Sequence, residues 1–77
     1  MINVFLVEDN RFVADAVDGL LNTYDNIQLV GVATTGEEAL TTLPPTGVDI
    51  ALIDLALPGM NGIDVIAALR QSQPALP

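Results

Sequence analysis

Cysteine, histidine, lysine and tryptophan are all missing from the 77-residue chain. Without cysteine there is no disulfide framework and no thiolate metal site. Without histidine every His-based catalytic arrangement is excluded, and without lysine so is a P-loop. Positive charge is almost absent: Arg11 and Arg70 stand against ten acidic residues, for a formal net charge of −8. Such a surface repels phosphates, so direct nucleic-acid binding by this segment is not expected. No apolar run approaches the roughly 20 residues a membrane helix needs. Met1-Ile2-Asn3-Val4 lacks the basic start of a signal peptide. A cytoplasmic protein with no membrane partner is the expectation.

What the chain does have is apolar residues, 51% of the total. That fraction argues for a folded core over disorder. A chain this short buries only about 60–65% of its unfolded surface, which leaves stability marginal without help.

The stretch Asp49–Gly62, DIALIDLALPGMNG, organises the rest. Ile50-Ala51-Leu52-Ile53 suits a strand buried on both faces, within a third strand expected over Val48–Leu55. Asp54 sits where that buried strand leaves the sheet, and a charge there is costly unless paired, solvated or metal-bound. Pro58-Gly59 suits the centre of a type II turn. Asn61 then caps a helix with Asp64 in its first turn and Arg70 near its end. Ile63, Ile66 and Leu69, with Val65 and Ala67 beside them, supply that helix's apolar side.

Two further strands precede it. Ile2–Val7 is apolar and ends abruptly at Glu8-Asp9; Ile27–Ala33 is the second, with Gly31 leaving room for a close neighbour. Between them Val13, Ala16, Val17, Leu20 and Leu21 form one helical stripe, with Asp15, Asp18 and Asn22 away from it and Asn10 as N-cap. Thr35 and Glu38 fit a capping box for a short helix carrying Ala39, Leu40 and Leu43, which Pro44-Pro45 stops ahead of a Thr46-Gly47 turn. Pro74 and Pro77 close the chain. The order β-α-β-α-β-α points to a doubly wound α/β parallel sheet with strand order 2-1-3.

In such a sheet ligands bind beyond the carboxyl ends of the strands, where the order reverses. Glu8 and Asp9 end strand 1 and Asp54 ends strand 3, so three carboxylates converge in one cleft. Taken alone, Glu8-Asp9 reads equally as charge at a helix N-terminus. Two like charges about 5 Å apart repel by roughly 3 kcal/mol at an effective dielectric of 20. A hard divalent cation removes that cost, and Mg²⁺ readily adds phosphate oxygens. The site reads as Mg²⁺ plus a phosphoryl group.

Val4–Asn10 (VFLVEDN), Ala33–Leu40 (ATTGEEAL) and Asp49–Gly62 together resemble the receiver domain of two-component response regulators. The spacing of the second strand also resembles the subfamily that often carries a C-terminal helix-turn-helix output domain, hence transcription regulation. The resemblance implies a flavodoxin-like fold. It implies that Asp54 accepts a phosphoryl group from a histidine kinase. It implies that Glu8, Asp9, Asp54 and the backbone carbonyl of Ala56 hold Mg²⁺, and that Pro58 and Gly62 shape the adjoining loop. Five β-α units are implied, and residues 1–77 match the first three. The Ser or Thr ending a fourth strand and the lysine of a fifth have no counterpart among them, so a truncated domain with an unpaired strand-3 edge, prone to self-association, is expected. A phosphoacceptor, not an enzyme, is the first reading. The alternative is a receiver-like interaction or dimerisation module that is not phosphorylated. A Mg²⁺ phosphohydrolase is disfavoured by Ala56, where such enzymes commonly place a second carboxylate. A dinucleotide site is disfavoured because no G-x-G-x-x-G is present.

Overall fold

The computed structural model describes residues 1–43, 47–57 and 59–72. Three strands, β1 (Ile2–Val7), β2 (Ile27–Ala33) and β3 (Ile50–Ile53), alternate with three helices, α1 (Arg11–Leu21), α2 (Gly36–Thr42) and α3 (Gly62–Ser72). The strands form one parallel sheet in the order β2-β1-β3, as expected. Pro44, Pro45, Thr46, Pro58, Pro74 and Pro77, to which turn and stop roles were assigned above, lie outside the described residues.

β1 is the central strand and the best buried: Val4, Phe5, Leu6 and Val7 are all core residues. Alternation along the strand sends Phe5 and Val7 to one face and Val4 and Leu6 to the other. Phe5 and Val7 meet Ala33, Ala39, Leu43, Leu57, Val65 and Leu69, so α2 and α3 share that face. Val7 and Val65 are fully enclosed, and each contributes about 1.5–3 kcal/mol by burial. On the register, Phe5 pairs with Gly31, and a bulge beside it leaves Val30 without a partner on β1. A Cβ on Gly31 would sit 2.8 Å from the Phe5 ring, so the glycine makes room for that ring.

The expectation for β3 needs two corrections. The strand is half as long as Val48–Leu55, and side-chain bonds join the backbone bonds at its ends. The Asp49 carboxylate accepts the Asn3 N–H (2.7 Å), and that of Asp54 accepts the Ala56 N–H (3.0 Å). Nor is it buried on both faces: Ile50, Ala51 and Ile53 are half-buried and Leu52 is 37% exposed. The strand buried on both faces is β1, whose Val4, Phe5, Leu6 and Val7 are all buried.

The helix faces differ as well. On α1, Val17 and Leu21 are half-buried, but Val13, Ala16 and Leu20 are exposed while Asp18 is half-buried. The helix is rotated so that Ala14, Val17, Asp18 and Leu21 turn inward, at helical spacing. On α3, Val65 and Leu69 enter the core whereas Ile63 and Ile66 are exposed. A Cβ on Gly36 would lie 2.5 Å from Val65 Cγ2, so this close approach of α2 to α3 selects the Val65 face. Leu40 is likewise exposed while Ala39 and Leu43 are buried.

Candidate metal and phosphoryl site

The carboxyl ends of β1 and β3 are held in register by backbone bonds. The Glu8 N–H donates to the Ala33 carbonyl at 2.9 Å, and the Asp54 N–H donates to the Val7 carbonyl at 3.0 Å. Glu8 is thereby tied to β2, and Asp54 to β1. Asn10 then starts α1 at once: its Oδ1 accepts the N–H groups of Phe12 (2.9 Å) and Val13 (3.3 Å). The chain between strand end and helix start is too short to carry Asp9 away from the sheet edge.

Glu8, Asp9 and Asp54 consequently bring one carboxylate oxygen each to within 4.8 Å of one another. Asp9 is exposed, Asp54 half-buried, and Glu8 buried at 7% exposure. Glu8 Oε2 is buried without a hydrogen-bond partner. A bare carboxylate oxygen in that position is unfavourable, and a divalent cation is the group that three converging carboxylates fit.

The protonation pattern follows from the same crowding. The Glu8 carboxyl is pushed above its ordinary value, first by a hydrogen bond to Asp54 that its protonated form donates. Burial and the negative charges of Asp54 and Asp9 push in the same direction. Asp54 is held below its ordinary value, first by the Ala56 N–H and then by Glu8. The two shifts run in opposite directions, so Glu8 holds a proton more tightly than Asp54 does.

The loop after β3 is built around Asp54. The Asp54–Ala56 bond makes an Asx-type turn, in which the carboxylate accepts a backbone N–H two residues on. Gly59 has φ +71°, a backbone region that favours glycine. The Gly62 N–H donates to the Leu55 carbonyl at 3.2 Å. A Cβ on Gly62 would overlap the Asp54 carbonyl oxygen and lie 2.5 Å from Leu55 Cα. Asn61 Oδ1 accepts the Asp64 N–H at 3.0 Å and begins α3, with Arg70 in its last turn. Across the cleft, Thr35 Oγ1 accepts the Glu38 N–H at 3.0 Å, while the Glu38 carboxylate bonds the Thr34 N–H and hydroxyl, not the Thr35 N–H of a standard capping box.

The family model for the response regulator receiver domain matches residues 4–77. The chain belongs to the response regulator receiver domain family. It is 36% identical over 76 residues to the transcriptional regulatory protein MalR of Bacillus subtilis, covering 99% of this chain and 32% of that protein. The response regulator GacA of Pseudomonas viridiflava is 34% identical over 74 residues, covering 96% and 35%. Among solved structures, a LuxR-family response regulator from Aurantimonas superposes with a TM-score of 0.88 at 30% identity, covering 96% of this chain and 53% of that one. The receiver domain of a modulated diguanylate cyclase from Desulfovibrio desulfuricans gives 0.86 at 32%, covering 100% and 61%. This receiver domain thus spans about a third of the curated relatives' length. Its class works in two-component phosphorelay signalling. No helix among the described residues is long and apolar enough to cross a membrane.

Proposed function

We propose that Asp54 is the phosphoacceptor of this domain and receives its phosphoryl group from a histidine kinase in the cytoplasm. The observation that carries the reading is the convergence of Glu8, Asp9 and Asp54 around a buried, unpartnered Glu8 oxygen. Glu8, Asp9, Asp54 and the Ala56 carbonyl would hold Mg²⁺, which supplies charge neutralisation for the incoming phosphoryl group. In the transfer, an Asp54 carboxylate oxygen bonds to phosphorus, the phosphorus–nitrogen bond of the phosphohistidine breaks, and the imidazole leaves with the electron pair. The Ala56 N–H orients the Asp54 carboxylate and keeps it ionised, which is the state that attacks.

Residues 1–77 correspond to the first three β-α units of a five-unit domain, consistent with coverage of 61% of a solved receiver-domain chain. Transcription regulation is the output we infer, since the relatives include a protein named a transcriptional regulatory protein. DNA contact is not assigned to this acidic segment. The second reading is a receiver-like interaction module without phosphotransfer. Incubation with Mg²⁺ and acetyl phosphate, followed at once by intact mass measurement, separates the two. A gain of one phosphoryl group that disappears in Asp54→Asn supports the first; an unchanged mass leaves the second.

A further inference from the structure

A groove of about 290 Å³ runs between α1 and β2, on the sheet face opposite the main core. Its floor is apolar, from Ala14 on α1 and Leu29 and Val32 on β2; Asp15 and Asp18 line it from the helix. The inward rotation of α1 creates it, by turning Asp18 from the solvent side into a half-buried position. Asp18 Oδ1 accepts a long bond from Asn22 Nδ2 at 3.4 Å, and neither aspartate is ion-paired among the described residues. At its upper end the groove reaches Glu8, Asp9 and Arg11, so four carboxylates face one guanidinium.

We propose that this groove is a docking site for a lysine or arginine side chain presented by a basic segment of a partner protein. The aliphatic stem of such a side chain suits the Ala14, Leu29 and Val32 floor, and its charged head suits Asp15 and Asp18. The volume lies at the small end of ligand pockets, which matches one long side chain better than a larger organic molecule. With no lysine and two arginines, this chain is poorly supplied to fill the groove with a second copy of itself. Nucleic acid is the wrong charge. The groove adjoins the carboxylate cleft, so an occupant's positive charge would act on the same field that favours Mg²⁺.

Titration of the isotope-labelled full 77-residue chain with a short leucine-alanine peptide bearing lysines, followed by amide NMR, tests this. Saturable shifts at Asp15, Asp18, Leu29 and Val32 are expected, weakening as salt rises. Affinity should fall about tenfold or more in Asp15→Asn/Asp18→Asn, and by as much when the peptide lysines become glutamines. A second variant, Val32→Lys, places a cation in the groove from within and should block the peptide. Equal binding by the glutamine peptide, unimpaired binding to Val32→Lys, or shifts centred elsewhere would each overturn the site. Spermidine matching the peptide would overturn the assignment to a protein partner.

Discussion

Gly62 lies so close to the backbone carbonyl of Asp54 that a side-chain carbon at position 62 would overlap its oxygen. The start of α3 and the end of β3 are packed backbone to backbone, and the Gly62 N–H to Leu55 carbonyl bond fastens them. Gly62→Ala must displace one of the two. We expect a loss of about 1–3 kcal/mol of stability, typical of overpacking, measured as a lower urea midpoint. Where the end of β3 gives way the Asp54 backbone moves with it, so phosphoryl uptake should fall beyond what the unfolded fraction explains. A variant with unchanged midpoint and uptake would show that the loop yields freely.

Gly36 and Val65 form a similar pair between α2 and α3, with a Cβ at 36 placed 2.5 Å from Val65 Cγ2. Gly36→Ala adds a clash, and Val65→Ala removes a fully buried side chain; each should cost about 1–3 kcal/mol. The two changes share one space, so the double variant should be more stable than the sum of the singles implies, by at least about 0.5 kcal/mol. Additive effects in denaturant unfolding would mean that α2 and α3 adjust independently.

The strands were legible because their residues alternate poorly and resist helix, as Val4-Phe5-Leu6-Val7 does. The caps at Asn10, Thr35 and Asn61 were legible because a short polar side chain before an apolar run has a local reason to be there. The helix faces were not. On α3 Ile63, Val65, Ile66 and Leu69 surround most of the helix, so periodicity leaves the inward side open, and contact with Gly36 decides it. On α1 the choice between Val13 and Ala14, or Leu20 and Leu21, is likewise made by β2. The carboxylate cleft was legible from chain order alone, since topology brings strand ends together regardless of side-chain packing. The Ala56 N–H bond to Asp54 was not legible from periodicity, because it comes from the local tendency of an aspartate to bond the backbone two residues on.

The outer edge of β3 has no strand partner among the described residues, and Leu52 and Leu55 are exposed beside it. An apolar edge of this kind templates pairing with another chain. The 77-residue chain should therefore self-associate as its concentration rises. Leu52→Lys adds an edge charge and should weaken that association by about tenfold, the equivalent of roughly 1.4 kcal/mol. Sedimentation equilibrium reads both, and a wild-type chain that stays monomeric at high concentration would remove the edge from consideration.

Glu8 and Asp54 make opposite contributions to the pH dependence. The Asp54 carboxyl is held low, so the stability it adds is lost as pH falls below the ordinary carboxylate range. The Glu8 carboxyl is raised, so the folded protein binds that proton more tightly than the unfolded chain does. Between the ordinary and the raised value the native state carries the extra proton, and stability falls as pH rises through that window. At the proposed site Mg²⁺ would take the place of the proton, so its binding should strengthen through the same window. The thermal midpoint should rise with Mg²⁺ more at neutral pH than at mildly acidic pH, with a gain of about 2.7 kcal/mol when the ion stands at a hundredfold its dissociation constant. Glu8→Gln cannot titrate, so in that variant the dependence of the Mg²⁺ effect on pH should flatten. A Mg²⁺ shift that is equal at all pH values, or one that keeps its pH dependence in Glu8→Gln, would place the cation away from Glu8.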